Sequence, residues 1–431
     1  MEANKKIGYY KVFNLNNFEN WDENRVKNYL HSFLSEKYHV NTFLGSGASH
    51  GAVPLLGNTF DKFQEQQKCN TDFQNLRHAY LSYRTGVLKD DAKTNKNQES
   101  IDSKDVENFI SWLQKRSEVI IEADSEVEVK KVLLEEIRNS IPIKYPSNDS
   151  FNDTLHAYIE FFAYLGDTRN AIDDETSVIN LFTTNYDLMH EWALEELRFS
   201  YSTGFSGSIH PTFSSNQFNQ RPISFENRFK NRWMAINPYF RLYKLHGSIN
   251  WEFSEGHIYQ SLGNPDGTAV IYPSVEKHYE TTQSPYSELI RELSKELQRE
   301  ATVLFMSGYS FSDEHLNNLL KQAVDSSEFQ LIIFYDWKDG DSDIKIAEAI
   351  TQKDNESTNS GFYKFLNETK NNKNVTVIGS VDMEEIDKDD FKDQFVVGGW
   401  TFSEIVRLFK TRELGIENQP ELPTAGGNDE K

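Results

Sequence analysis

The chain of 431 residues contains one cysteine, Cys69. It therefore forms no internal disulfide and cannot supply the thiolates of a structural zinc ribbon, and we expect a reducing compartment. Apolar runs of the roughly 18 residues that a membrane helix needs are also absent. The first residues, MEANKKIGYYKVF, place charges and tyrosines where a secretory signal would be apolar. These absences predict a cytoplasmic protein with no membrane partner.

Positive charge is scarce in this chain. Its 45 lysines and arginines stand against 67 aspartates and glutamates, which gives a formal net charge of −22 at pH 7. Such a surplus repels phosphate backbones, so we expect no direct contact with nucleic acid. A Walker A pattern is absent as well, which excludes a P-loop ATPase. With 37% hydrophobic residues, the chain still predicts a folded protein of one large domain or about two to three ordinary ones.

Short apolar runs bounded by polar residues predict strands that are buried on both faces. These runs cover residues 40–44, 178–183, 301–306 and 329–335, with a fifth candidate at 375–378. Helical spacing of apolar residues precedes the third run, at 289–297, and follows it, at 316–323. This alternation predicts an α/β fold with a Rossmann-like, doubly wound and mostly parallel sheet.

The sequence pattern changes between residues 60 and 175. Apolar residues recur there at helical spacing, and no apolar run of similar quality predicts a strand. We therefore predict a largely helical inserted domain at 60–175, which interrupts a nucleotide-binding domain formed by 1–59 and 176–412. Residues 413–431 are polar and predict a flexible tail. The stretch 201–241 shows no clear periodicity and receives no assignment.

Four polar segments follow predicted strands, and the strand before the third segment is predicted from Leu242, Tyr243 and Leu245. The segments read GSGASHGAVP, TTNYDLMHE, HGSINW and SGYSFSDEHL, and begin at Gly45, Thr183, His246 and Ser307. Ligands of open parallel sheets bind at the carboxyl ends of the strands, so together the segments predict a nucleotide site. Glycines in the first segment allow backbone N–H groups to converge on a phosphate.

Each segment also has a purely structural interpretation. A tight turn accounts for the glycines, Asp187 suits the N-cap of the helix that follows it, and Ser310 with Asp313 has capping-box spacing. A single histidine is more often structural than catalytic, although His246 at a strand end can present its imidazole to a cleft. Capping explains Asn185 less well.

The motifs GSGAS, TTNYD, LHGS and SGYSFSD, at residues 45–49, 183–187, 245–248 and 307–313, resemble in their order the signature of the sirtuins. More specifically, they resemble bacterial sirtuin-like NAD hydrolases of anti-phage defence. The resemblance spans about residues 40 to 320. Two features of the protein-deacylating branch are missing: the Asp-Phe-Arg portion of its segment after the glycine loop, and its four-cysteine zinc module.

The resemblance implies an NAD⁺ glycohydrolase that cleaves the nicotinamide–ribose bond to give nicotinamide and ADP-ribose. NAD⁺ would be the substrate and no metal is expected. Asn185 and His246 would be the catalytic residues. The residues that would contact NAD⁺ are Gly45, Ser46, Gly47, Ala48, Ser49, Thr183, Asp187, Gly308 and Ser310.

The resemblance also implies a gated effector that acts by NAD depletion, because a constitutive NAD hydrolase would poison its host. We expect a homo-oligomer, with a HerA-type hexameric ATPase as a partner on a separate polypeptide. The alternatives left open are a zinc-independent deacylase or ADP-ribosyltransferase, a catalytically silent sensor of NAD or ADP-ribose, and a structural scaffold.

Overall fold

A computed structural model describes most of the chain, and its described part is an α/β structure with a large, mostly parallel sheet. The described residues are 9–35, 37–87, 101, 106–119, 124–146, 148–170, 175–229, 232–261, 268–270, 285–326, 328–336, 361–380 and 401–410. The predicted fold class is thereby confirmed. The predicted tail at 413–431 lies outside the described residues.

Sixteen strands are found in the described residues, and nine of them form the central sheet. In chain order they are β1 (Tyr9–Asn14), β2 (Asn17–Asp22), β3 (His39–Leu44), β4 (Val178–Thr183), β5 (Ser200–Ser202), β6 (Phe205–Ser206), β7 (Thr212–Phe213), β8 (Ile223–Phe229), β9 (Arg232–Ala235), β10 (Tyr239–Lys244), β11 (Gly247–Ser254), β12 (His257–Gln260), β13 (Thr268–Val270), β14 (Thr302–Ser307), β15 (Phe329–Phe334) and β16 (Val375–Ser380). The order across the central sheet is β2-β1-β16-β15-β14-β3-β4-β10-β5. From β16 to β5 all neighbours are parallel, and the hairpin β1–β2 adds an antiparallel edge.

The described helices are α1 (Glu23–Ser32), α2 (Leu56–Gln66), α3 (Thr71–Val87), α4 (Val106–Val119), α5 (Asp124–Asn139), α6 (Asp149–Asp167), α7 (Met189–Glu196), α8 (Tyr286–Leu297), α9 (Glu314–Val324), α10 (Gly361–Thr369) and α11 (Phe402–Phe409). Among the described helices, none is both long and apolar enough to cross a membrane.

The central sheet is buried on both faces because its strands carry apolar side chains at successive positions. Leu44 and Leu181 belong to the core cluster on one face, together with side chains of α1, α6, α7 and α11. Phe43 and Phe182 point to the other face and join a cluster with α8, α9 and α10. This two-sided burial explains why the strands read as continuous apolar runs in the sequence.

Helices α2 to α5 have a core of their own. It contains Phe60, Phe63, Phe73 and Phe109, and its members come from outside the sheet strands. Helix α6 also lies within the predicted insertion, but it packs on the sheet through Phe162 and other residues of the first cluster. The domain boundaries stay a prediction, and this packing places α6 with the sheet.

Two parts of the fold were not predicted from the sequence. The hairpin β1–β2 lacks an apolar run, since β2 reads NFENWD. The described residues of the stretch 201–241 contain short strands, two of which, β6 and β7, join a second, five-stranded sheet of order β13-β11-β12-β7-β6. Strand β11 of that sheet begins directly after His246.

Candidate functional site

The register of the central sheet explains why distant segments of the chain meet at one edge. Ser307, Leu44, Thr183 and Lys244 are paired neighbours across β14, β3, β4 and β10, and each ends its strand. The carboxyl ends of parallel strands lie at one edge of a sheet, so the segments that follow these four strands begin side by side. Two residues beyond the row stand Tyr309, Ser46, Asn185 and His246. Asn185 and His246 therefore lie at the same edge of the sheet, where both line one cleft.

A cleft opens over this row. Its empty volume, counted together with the open solvent at its mouth, is about 870 Å³. The strand ends supply its polar lining, namely Ser46, Thr184, Asn185, Tyr186, Asp187, His246, Gly308, Tyr309, Ser310, Ser312 and Asp313. The segment after the glycine loop and the end of α5 supply the remaining lining, Val53, Pro54, Leu55, Leu56, Ile137, Ser140 and Ile141. The cleft thus has a polar floor and a largely apolar wall.

Asn185 is held firmly, and one of its polar atoms is left for a ligand. The Nδ2 group donates to the Gly45 carbonyl oxygen at 3.1 Å and to Ser49 Oγ at 3.1 Å. The Asn185 backbone N–H donates to Thr183 Oγ1 at 3.0 Å. The buried Oδ1 atom has no hydrogen-bond partner among the described residues. A buried acceptor without a partner is unfavourable, so this oxygen fits a donor that a ligand or water would bring.

The glycine loop packs against the end of β14. The Gly45 N–H donates to the Ser307 carbonyl oxygen at 2.9 Å, and the Gly47 N–H donates to the Gly308 carbonyl oxygen at 2.9 Å. The Ala48 N–H bonds within the loop, to the Gly45 carbonyl oxygen at 3.0 Å. These three donors, which the sequence predicted as phosphate ligands, are engaged by backbone oxygens. The glycines allow two backbones to approach closely.

Substituting Gly308 with alanine should test this close approach. Gly308 has a φ of +68°, and a Cβ there would lie 2.3 Å from the Ala48 nitrogen. The matched control is Gly256→Ala, because Gly256 has a φ of +79° but no described atom within 4 Å of its Cβ position. Backbone strain alone costs about 1–2 kcal/mol, and the clash at Gly308 should add ~1–3 kcal/mol. Chemical denaturation measures both losses, and equal losses would contradict the packing role.

A buried ion pair supports the site from below. Lys244 Nζ donates to Glu191 Oε1 at 2.9 Å and also to the carbonyl oxygen of Asp187. All three residues are buried. Asp187 was predicted as the N-cap of α7, but the N-cap position is Leu188; the Asp187 side chain, one residue earlier, still accepts the Met189 N–H at 3.1 Å and also lines the cleft. The loop that carries Asn185 is thus anchored by charge and by a helix terminus.

Burial shapes the titration of the groups around this pair. It raises the pKa of the Asp187 carboxyl and that of the Glu191 carboxyl, and the Lys244 ammonium opposes both shifts. Burial also raises the pKa of the Tyr158 hydroxyl well above its ordinary value. For His190, burial lowers the pKa well below its ordinary value. Tyr158, whose hydroxyl lies 2.9 Å from Ser49 Oγ, and His190 are therefore neutral at pH 7.

His246 is paired with a carboxylate in the cleft. Its Nε2 atom lies 3.2 Å from Asp313 Oδ2, and each side chain is 5% exposed. The capping prediction for this segment was wrong in detail, because Asp313 itself caps α9 and Ser310 Oγ instead lies 2.9 Å from Ser312 Oγ. One carboxylate oxygen of Asp313 therefore holds the start of α9, and the other faces the imidazole of His246.

The structure divides the predicted site residues into two groups. Those that line the cleft are Ser46, Asn185, Asp187, His246, Gly308 and Ser310. Those that support it from behind are Gly45, Gly47, Ala48, Ser49 and Thr183. Sequence reasoning missed the roles of Asp313, Tyr158, Lys244 and the apolar wall, and of these only Asp313 and the wall residues Val53 and Pro54 stood in one of the four polar segments. Within the described residues, no group of three or more metal-ligating side chains is placed to hold a metal ion.

A comparison with known protein families matches the part of the chain that carries Asn185 and His246. Residues 179–372 match the model of a family described as SIR2-like domain. The match includes Asn185, His246 and the SGYSFSD segment, and the glycine loop lies before it. It supports the sirtuin-like resemblance and an NAD-binding, enzyme-type domain with NAD-dependent activity in general. A search of curated proteins found no match.

Proposed function

From the SIR2-like match and the geometry of the cleft, we propose that this chain is an NAD⁺ glycohydrolase. It would hydrolyse the nicotinamide–ribose bond, so that NAD⁺ and water give nicotinamide, ADP-ribose and a proton. The observation that carries the proposal is the unpartnered Oδ1 atom of Asn185 in the same cleft as His246. An amide acceptor and a base at one place suit a reaction that must orient a sugar and activate water.

Hydrolysis of the nicotinamide–ribose bond requires few catalytic groups beyond Asn185 and His246. Cleavage of the glycosidic bond builds positive charge on the ribose, and the nicotinamide group, cationic in NAD⁺, leaves as a neutral molecule. No acid is needed for its departure. Asn185 Oδ1 would accept a hydrogen bond from a ribose hydroxyl or from the attacking water, and His246 would accept the proton released on attack.

The apolar wall supports the same proposal. Val53, Leu56 and Ile137 line the cleft and come from the segment after the glycine loop and from α5. Apolar walls exclude water and strengthen the electrostatic effect of the polar groups opposite them. The wall would limit access to the reacting sugar.

The test is to incubate the purified full-length chain with NAD⁺ alone and to chromatograph the products. We expect nicotinamide and ADP-ribose without any acylated peptide or protein acceptor. Asn185→Ala should lower the rate by about 10²–10³-fold, because it removes an oriented polar group from the reacting centre. The control is Asn170→Ala, an exposed asparagine three residues beyond the end of α6, which should leave the rate unchanged. Cleavage only with an acyl-lysine peptide or protein acceptor would favour the transferase alternatives, and binding without turnover even when a partner ATPase is supplied would favour a sensor.

We further propose that the activity is gated and serves anti-phage defence by NAD depletion. The support is the resemblance to sirtuin-like defence proteins and the toxicity of an ungated hydrolase. Gating would come from a homo-oligomer or from a HerA-type ATPase on another chain. NAD⁺ turnover by the chain alone and with such an ATPase distinguishes the cases. A rate that rises with the partner supports gating, and equal high rates contradict it.

A further inference from the structure

We infer that Asp313 is a positioning residue that fixes the tautomer and orientation of His246. The inference rests on the proposed NAD⁺ cleavage for its catalytic consequence, while its structural part concerns the chain alone. A carboxylate that faces one nitrogen of a histidine holds the proton on that nitrogen and leaves the other nitrogen as the base. Here the nitrogen that faces Asp313 is Nε2, so Nδ1 would be the basic atom.

The two carboxylate oxygens of Asp313 have different partners. Oδ1 accepts the backbone N–H groups of His315 at 3.0 Å and Leu316 at 3.2 Å, which fixes the carboxylate to the first turn of α9. Oδ2 lies 3.2 Å from His246 Nε2. Because α9 holds the first oxygen, the second has little freedom to turn away from the imidazole. The pair is buried, so water competes weakly for it.

The loop before Asp313 is built to hold this position. The Tyr309 hydroxyl lies 3.3 Å from the Asp313 carbonyl oxygen and 3.2 Å from Asn317 Oδ1. Asn317 Nδ2 in turn donates to the Phe311 carbonyl oxygen at 2.8 Å. Phe311 has a φ of +57°, a left-handed conformation that a phenylalanine adopts only when its surroundings impose it.

Helix α10 closes the loop from behind. A Cβ on Gly361, its first residue, would lie 1.9 Å from the Phe311 carbonyl oxygen, and the Phe311 ring packs on Phe362 and Phe365. The loop is thereby fixed on both sides. A rigid loop is what a group that orients a base requires, since small displacements of a base cost much of its effect.

The variant that isolates this role is Asp313→Asn. Asparagine is an equally good N-cap, so the α9 terminus should keep its hydrogen bonds. The amide, however, has no negative charge and presents either of two groups to Nε2, so it no longer selects one tautomer. We expect kcat to fall by about 10- to 100-fold, the range known for loss of a group that orients a functional histidine, with KM within about threefold of wild type. The loss cannot exceed that of His246→Ala if Asp313 acts through His246.

The control for the capping chemistry is Asp22→Asn. Asp22 caps α1 by accepting the Arg25 N–H at 2.8 Å, and it is not among the residues that line the cleft. This change should leave kcat, KM and the unfolding temperature unaltered. If Asp313→Asn lowers the unfolding temperature much more than Asp22→Asn does, thermal stability rather than orientation explains its effect.

A double-mutant cycle and an NMR spectrum test whether Asp313 acts through His246. In a His246→Ala background, Asp313→Asn should have no further effect on kcat, because the group it orients is gone. Imidazole ¹⁵N shifts, with His246 assigned by its loss in His246→Ala, should show a proton on Nε2 in the wild type and a mixed population in Asp313→Asn. An additive cycle, or a proton on Nδ1 in the wild type, would overturn the inference. The spectrum needs no NAD⁺, so it decides the inference even if the wild type fails to cleave NAD⁺ and the proposed function falls.

Discussion

Replacing His246 with alanine is expected to lower the rate of NAD⁺ cleavage by about 10²- to 10⁴-fold while the protein stays folded. A positioned base contributes a factor of this size, and His246 is the imidazole that lines the cleft beside Asn185. The side chain lies at a strand end rather than within the hydrophobic clusters, so its removal should affect the reaction more than the core. The measurement is kcat/KM for nicotinamide release.

The control for this substitution is His156→Ala. His156 lies on α6 with its side chain 56% exposed, and its replacement by alanine should leave kcat/KM unchanged. Circular dichroism and the unfolding temperature show whether each variant is folded. Full activity in a folded His246→Ala variant would remove the base from the proposed mechanism, and with it the reason for assigning hydrolysis to this cleft.

Replacing Lys244 with methionine is expected to destabilise the protein by about 3–5 kcal/mol at neutral pH. The substitution leaves Glu191 buried without its cation, and an uncompensated buried charge is far more costly than a lost surface contact. Denaturant unfolding measures the effect. The matched control is Lys364→Met, whose ion pair with Glu314 is exposed at 63% and 74% and should be worth less than about 1 kcal/mol.

The effect of Lys244→Met should depend on pH in a defined direction. Burial already raises the pKa of Glu191 in the folded protein, and loss of Lys244 removes the influence that opposes this shift. A carboxyl whose pKa is higher in the folded state than in the unfolded state binds more protons when folded, so stability falls as pH rises between the two values. The loss of stability caused by Lys244→Met should therefore decrease as the pH falls toward the ordinary pKa of glutamate. It should be largest at pH values above the pKa of Glu191 in the folded protein.

The double variant Lys244→Met with Glu191→Gln separates charge from packing. It removes the unpaired carboxylate and should recover part of the lost stability at neutral pH. Its deficit should also lose the pH dependence. If the single variant is as stable at pH 8 as at pH 5, the buried charge is not the cause of the destabilisation.

The sequence carried enough information to predict the central sheet because that sheet is buried on both faces. Runs such as VINLFT and TVLFMS have no polar face, and they correspond to β4 and β14. The edge hairpin could not be predicted in this way, since the strand NFENWD alternates only weakly between exposed and half-buried residues. Strands of two or three residues, such as β5 and β6, are too short to show a period at all.

The meeting of Asn185 and His246 was predictable because both follow strands of one parallel sheet. What the sequence could not show is which partners surround them. Tyr158 comes from α6 and Ile137 from α5, two segments whose spacing reports only a helix and not what the helix faces. Asp313 was visible in a motif, but capping explained it fully until the structure placed its second oxygen beside His246.

The alignment of Asn185 and His246 beyond one paired row limits how the chain length can change. One residue added within β4 or β10 would shift the reactive side chain by about 3.3 Å and turn it to the opposite face of the sheet. The long connection between these strands, which runs from α7 through the short strands β5 to β9, bears no such restriction. Insertions and deletions can accumulate there over evolutionary time, while the strand lengths on either side stay constant.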